Sequence, residues 1–450
     1  MTDPLKVNID GAAATPWSAA SLCIEQGRPT VLFETQDVAS APVGRSLLCS
    51  GPSTWLREVD GDFVEFPSGE IVGDPLGWMK QQHRKVDAAD AGMWCGGLAG
   101  FFGFEFGWFL DDVTGSPKSV STPDLWVGRF DAGAVYDHDG QQWTVLGRDE
   151  QSVRDVEAVI ESAGAGEAFG DGRGQRRRKR DVSRRDYERG VRAAVEAIFE
   201  GSFFETNYTE RFWGRWEGDR RALYDGLRRR APGQFGGVVD IDGLFIASVS
   251  PEQFLSVGAD GTVTTRPIKG TRPRGETPQQ DRRLARQLTS SEKDRAENVM
   301  IVDLMRNDLT KVCAPGSVTV TELCELHSFR SVHHLVSTVQ AELGEDFDAL
   351  DVFASSFPAG SITGAPKLRV MEWIAAHEHN GRGPYTGSMF YWSDHGRLDS
   401  NVLIRSAVLG DESTVEYGSG GAVVADSDPG GEYEEALWKA APFFELLENG

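Results

Sequence analysis

A chain of 450 residues with 40% hydrophobic and 10% aromatic content has the apolar material for large cores, which excludes a disordered chain. Its 46 basic residues stand against 69 acidic ones, a formal net charge of −23. A surface that acidic repels nucleic acid and anionic lipid, so neither is expected as a partner, and an anionic ligand must be met by a locally basic pocket.

The five cysteines, Cys23, Cys49, Cys95, Cys313 and Cys324, form no Cys-x-x-Cys pair, which argues for scattered reduced thiols over a disulfide framework or zinc site. The first residues lack a basic stretch followed by an apolar core, and no apolar run is long enough to span a bilayer. A cytoplasmic protein is expected.

Residues 1–162 read as a mixed α/β subdomain with strands at 31–35, 134–138 and 143–147. Between them, 96–109 alternates glycine with aromatics, which suits either close sheet packing or a site wall. Residues 163–182, glycine-rich and then basic over 176–180, read as a flexible linker.

The remainder, 183–450, reads as a second domain. Ser183 and Asp186 form a helix-start signal, and Tyr187, Val191, Val195 and Ile198 recur at helical spacing until Gly201. A strand over 203–213 and a short basic helix ending at Pro232-Gly233 follow. A β-meander is then predicted at 235–240, 244–249, 253–257 and 262–265, with turns at Asp242-Gly243 and Asp260-Gly261. It feeds 266–275, where prolines and glycines fix a rigid basic turn around Lys269.

One long helix is predicted over 279–308, with Asp294 and Glu297 on one face. The last helix starts at Asp428-Pro429 and carries Glu432 and Glu435, with Lys439 one turn on. Two such acidic pairs suit either an all-oxygen Mg²⁺ site or solvated helix faces. Between them, 357–367 holds Ser361, Thr363 and Lys367 at a helix start, an anion seat or an ordinary cap. A strand over 399–409 carries Arg405, whose charge calls for a ligand carboxylate or a structural partner. The glycines of 418–421 allow close backbone approach to a ligand. His333 and His334 read as a partly buried strand pair, His334 doubling as a candidate general acid.

Together these segments resemble the chorismate-utilising enzyme family. The motifs are Ser-Pro-Glu at 250–252, Pro-Ile-Lys-Gly-Thr at 267–271, the run 292–308, His-Leu-Val-Ser from His334, 357–367, 383–387, 401–406, and the stretch from Ala425 to Lys439. The resemblance is close over 183–450 and weaker before it, resting there on 97–105. It implies an α+β fold of two intertwined subdomains, with large, mostly antiparallel sheets packed together and helices outside. It implies Mg²⁺ held by Glu297 and Glu435, with Asp294 and Glu432 near its water shell. Tyr385 and Arg405 would hold the enolpyruvyl carboxylate of chorismate. Gly420, Gly421, Lys439, Thr271, Ser361 and Thr363 would line the same pocket. Glu252 would protonate the departing ring hydroxyl, and His334 would sit near the ring.

Two positions choose among family members. Members that add water carry a lysine on the strand where this chain has Glu205. Lys269 stands where members aminating C2 generally have alanine. The resemblance therefore implies covalent attack by Lys269 at C2, then displacement by ammonia at C4, giving 4-amino-4-deoxychorismate. It further implies an amine pKa lowered by burial, Mg²⁺, Arg272 and Arg274. Ammonia would come from a separate glutamine amidotransferase subunit. The alternatives are amination at C2 towards anthranilate and, from another class, a regulatory subunit that binds chorismate without turnover.

Overall fold

The computed structural model describes residues 4–36, 44–86, 92–115, 120–164, 170–180, 183–329, 332–410 and 413–449. The first elements are β1 (Leu5–Ile9), α1 (Pro16–Glu25), β2 (Thr30–Glu34), β3 (Arg45–Ser50), β4 (Thr54–Val59), β5 (Asp62–Phe66) and α2 (Pro75–Gln82). Next come β6 (Gly97–Phe102), a 3-10 turn (Phe104–Phe106), α3 (Gly107–Leu110), β7 (Leu125–Phe130), β8 (Ala132–Asp137), β9 (Gln142–Gly147) and α4 (Glu150–Ser162). The middle of the chain forms β10 (Gly172–Arg180), α5 (Arg184–Phe199), β11 (Glu205–Gly218), α6 (Arg220–Arg230), β12 (Gly236–Ile241), β13 (Leu244–Ser248), β14 (Gln253–Val257), β15 (Thr262–Thr265) and β16 (Ile268–Pro273). Then follow α7 (Pro278–Thr289), α8 (Glu292–Thr310), β17 (Thr319–Ser328), β18 (Val332–Glu342), α9 (Ala349–Ser356), α10 (Gly360–Thr363), β19 (Gly364–Ala365) and α11 (Lys367–His377). The chain closes with β20 (Ser388–Ser393), β21 (Leu398–Asn401), β22 (Ser406–Gly410), β23 (Thr414–Val423) and α12 (Pro429–Asn449).

The strands make two large antiparallel sheets. One runs β1-β9-β8-β3-β2-β12-β13-β22-β23-β11-β10, and the other β16-β18-β15-β14-β21-β20-β6-β7-β4-β5. Each mixes strands from before and after residue 183, so the two halves of the chain are interleaved, as expected of an α+β fold with intertwined subdomains. An apolar cluster including Val31, Leu47, Phe101, Trp126, Ile246 and Met389 fills the space between the sheets. The outer faces are covered by α1, α4, α6 and α12 on one side and by α8, α9 and α11 on the other. Among the described residues no helix is long and apolar enough to cross a membrane.

Four expected elements differ. The stretch expected as a linker is in part a strand. β10 pairs with β11, so the backbone of its basic run finds ladder partners at a sheet edge, while 165–169 and 181–182 lie outside the described residues. The expected meander divides: β12 and β13 belong to one sheet, β14 and β15 to the other. The crossing is Ser250-Pro251-Glu252, where proline has no N–H for a ladder and the Ser250 hydroxyl donates to Val402 O at 2.6 Å. The strand expected over 399–409 likewise divides into β21 and β22 in different sheets, with Arg405 in left-handed conformation (φ 51°) at the crossing. The single helix over 279–308 is two, because Ser291 caps α8 by accepting from Asp294 N–H.

Candidate active site

The two crossings, β16, β11, β23, α8 and α12 enclose a cavity of about 570 Å³, within the range of a small-ligand pocket. Lys269 enters it from a β-bulge. Ile268 faces Val336 and Thr271 faces His334, so β16 has one more residue than β18 between these pairs. Gly270 absorbs the kink with a φ of 85°. The rigid turn expected around Lys269 is thus a bulged strand that aims the side chain inward. Lys269 is only 8% exposed, and its Nζ donates to Glu205 Oε1 at 2.5 Å, at the start of β11. Glu205 Oε2 is buried with no hydrogen-bond partner among the described residues.

Among the chain's own residues, the electrostatics of the amine run against the expected direction. Burial pulls the Lys269 pKa down, but Glu205, Glu297 and Glu252 outweigh it, and the net shift is upward. Arg272 and Arg274 do not lower it, because each is neutralised locally: Arg272 pairs with Asp294 at 3.0 Å and Arg274 with Asp281 at 2.8 Å. Lys269 rests as an ammonium.

Glu252, at the Ser-Pro-Glu crossing, is buried beside it. Burial pushes its pKa up to about 7 against the opposing pull of the Ser361 hydroxyl and Lys269, so it holds a proton near neutrality. His334 goes the other way: burial, then Arg405, pulls its pKa down to about 3. Its Nδ1 lies 2.8 Å from Thr271 Oγ1. A ring neutral above that pH is no imidazolium acid, and the general-acid expectation for His334 gives way to an orienting contact.

Arg405 lines the cavity without a carboxylate partner among the described residues; burial lowers its pKa and only Tyr417 opposes. Tyr385 joins it from the turn before β20. Its ring lies against the backbone of Gly418, where a Cβ would come 2.2 Å from Tyr385 Cγ. The glycines of β23 therefore serve packing, and Gly420 also lines the cavity as expected, whereas Gly421 does not. Gly420 makes way for β11, with Tyr208 O 2.2 Å from a Cβ there. Gly421 makes way for two glutamates of α12, with Glu432 Oε2 2.9 Å and Glu435 Oε1 3.4 Å from a Cβ.

Those glutamates line the same cavity as Glu297 of α8. Glu432 accepts from Ser427 at 2.7 Å, and Glu435 pairs with Lys439 at 2.7 Å. Burial raises the Glu297 pKa to about 7. Among the described residues these side chains are not gathered into a ready metal cluster. Their all-carboxylate chemistry, with Glu432 and Glu435 side by side over Gly421, nonetheless suits a hard divalent cation.

Ser361, Thr271 and Lys439 line the cavity, Lys439 donating to Gly420 O at 2.9 Å. Two residues of the expected anion seat do not. The Thr363 hydroxyl donates to Ala359 O within α10, and Lys367 is buried against Asp308 at 2.8 Å and Ser356 O. The caps there are Ala359 and Pro366, without side-chain hydrogen bonds, so no Ser/Thr-capped seat forms. The 96–109 run packs as β6 and the turns after it, outside the cavity. Sequence reasoning missed Asn207 and Thr209, which line the cavity from β11. The signal was available: with a period of two they share Glu205's face of the strand.

The family described as chorismate binding enzyme matches residues 42–445. The chain belongs to the chorismate binding enzyme family. Within it, the aminodeoxychorismate synthase component 1 of Salmonella typhimurium is 36% identical over 355 residues, 79% of this chain and 77% of that one. The anthranilate synthase component 1 of Aquifex aeolicus is 32% identical over 99% of this chain and 94% of its own length. Among solved structures of the family, anthranilate synthase component I from Streptococcus pneumoniae superposes with a TM-score of 0.78 at 28% identity, over 89% of this chain and 92% of that one.

Proposed function

We propose that this chain is the synthase component that converts chorismate and ammonia to 4-amino-4-deoxychorismate, the precursor of 4-aminobenzoate for folate or a secondary product. The observation that carries this reading is Lys269, aimed by its bulge into a cavity that also holds a protonated Glu252 and the unpaired Arg405.

Arg405 and Tyr385 take the enolpyruvyl carboxylate, supplying the anion that the guanidinium lacks. Mg²⁺, held by Glu297 and Glu435 with Glu432 and Asp294 about it, would neutralise the ring carboxylate. Glu205, 2.5 Å from Lys269 Nζ, is placed to take the proton that frees the amine. The amine then bonds to C2, both ring double bonds shift, and the C4–O bond breaks, with Glu252 giving its proton so that water leaves. Ammonia bonds to C4 with the reverse shift, the C2–N bond breaks, and Lys269 departs as the amine. Glu252 recovers its proton from the new ammonium group.

We place the ammonia source in a glutamine amidotransferase subunit. The five cysteines are all buried, which leaves no accessible thiol for glutamine hydrolysis here, and relatives named component 1 imply a second component. We place the protein in the cytoplasm. A second reading, amination at C2, is favoured by the full-length similarity to anthranilate synthase. Incubation with chorismate, Mg²⁺ and ammonium separates the two by chromatography. A non-aromatic amine that yields 4-aminobenzoate only when a lyase is added supports the C4 reading; fluorescent anthranilate refutes it.

A further inference from the structure

Arg382 sits just outside the cavity wall, 5% exposed, between α11 and the turn that carries Tyr385. Its guanidinium reaches several elements at once. Nε and Nη2 donate to Glu378 at 3.0 and 2.7 Å, Nη2 also to Asn207 O at 2.7 Å, and Nη1 to Ile362 O at 3.0 Å. Its flat face lies 4.5 Å from the centre of the Phe104 ring. The main-chain N–H groups of Arg382 and Gly383 both donate to the Glu105 carboxylate, at 2.7 and 2.8 Å.

Ile362, Asn207 and the turn after Arg382 belong to segments that carry part of the site, while Glu378 and Glu105 anchor the arginine from outside it. Ile362 follows Ser361, whose hydroxyl bonds Glu252. The Asn207 amide donates to Ser361 O at 3.1 Å, which ties β11 to the same short helix. Thr386 follows Tyr385 and donates its N–H to Leu403 O at 2.9 Å, while Leu403 N–H donates to Gly387 O at 2.9 Å. The turn is thereby bound to the crossing that ends in Arg405. A buried guanidinium is tolerated only when its donors are met, and its planar fork meets acceptors in several fixed directions at once. Lysine, with one nitrogen, cannot span them.

We propose that Arg382 is a positioning residue that fixes the distance between the carboxylate seat at Tyr385 and Arg405 and the proton donor Glu252. The inference rests on the roles given to those residues above. It does not depend on which amine forms, because it is read on chorismate consumption. The full-length Arg382→Lys variant is assayed at a temperature where circular dichroism shows it folded. The expected result is a loss on the order of a hundredfold in kcat/KM, shared between a raised KM and a lowered kcat. Arg382→Ala is expected to regain activity with dilute guanidinium in the buffer. Glu105→Gln, which keeps the arginine and weakens its anchor, is expected to show the same split at smaller size. A folded Arg382→Lys with wild-type KM and kcat overturns the proposal. If that variant does not fold, wild-type constants in folded Glu105→Gln overturn it. Product identity is recorded alongside: anthranilate from the wild type would refute the proposed reaction and leave the positioning role standing.

Discussion

Burial acts on Glu252 and His334 in opposite senses, raising a carboxyl's pKa and lowering an imidazole's. Only the first yields a group with a proton to give at neutrality. The expected consequence is that kcat/KM falls as pH rises through about 7, as Glu252 loses its proton. Glu252→Gln should lower kcat by roughly 10²- to 10⁴-fold and abolish that limb of the pH profile, which steady-state assays across pH would check. At Arg405 the deficit is of anion. Replacing it by alanine should weaken chorismate binding by about 1.5–3 kcal/mol, the worth of a charged hydrogen bond, as a raised KM or calorimetric Kd. Glu252 and Arg405 stood out in the sequence by residue type and motif, and the structure brings both to one cavity. The charge state of Lys269 was not legible in the sequence, because it depends on Glu205, which is distant in sequence and reaches the amine only when β11 is folded against the cavity.

At the scale of elements, site geometry depends on backbone irregularities that sequence periodicity does not reveal. The Arg405 segment was read as part of one continuous strand, and Ser-Pro-Glu as a connection within one meander, because their flanks are apolar and β-prone. Tertiary structure instead makes them the two crossings between sheets, which is how Glu252 and Arg405 come to face one cavity. Similarly, apolar spacing runs through 279–308 without interruption, and only the Ser290-Ser291 pair marks the break that lets α8 start at the cavity rim. The bulge at Lys269–Gly270 is testable. Gly270→Ala places a Cβ 3.0 Å from Asp294 and Leu288 at a positive φ, and should cost about 1–2 kcal/mol in denaturant unfolding while lowering kcat. Gly418→Ala drives a methyl into Tyr385. It should raise KM for chorismate more than it lowers kcat.

For the whole molecule, the family resemblance implied the fold class and its intertwined subdomains, but not which strands each half contributes to the shared sheets. β2 lies between β3 and β12, and β6 between β20 and β7. A fragment of 183–450 would expose the edges of β12 and β20, and is expected to aggregate or lack a cooperative thermal transition. The buried carboxyls set a second global property. Glu105, Glu252 and Asp240 have pKa values pushed up by burial to about 7 in the fold. The fold therefore holds protons that the unfolded chain has already lost above pH ~4.5, and stability falls as pH rises towards 7. His334, His83, His138 and His395 have lowered values and oppose this only below the ordinary histidine pKa of about 6.5. Thermal scans should thus show Tm falling between pH ~6.5 and ~7, where the carboxyls lose their protons, and levelling off above that window. The reading as a whole turns on Lys269 as the nucleophile, and the most direct test compares products from the wild type and Lys269→Ala, each with chorismate, Mg²⁺ and ammonium. The wild type is expected to give 4-amino-4-deoxychorismate and a folded Lys269→Ala to lose it; an undiminished rate of C4 amination in that variant would rule out Lys269 as the nucleophile.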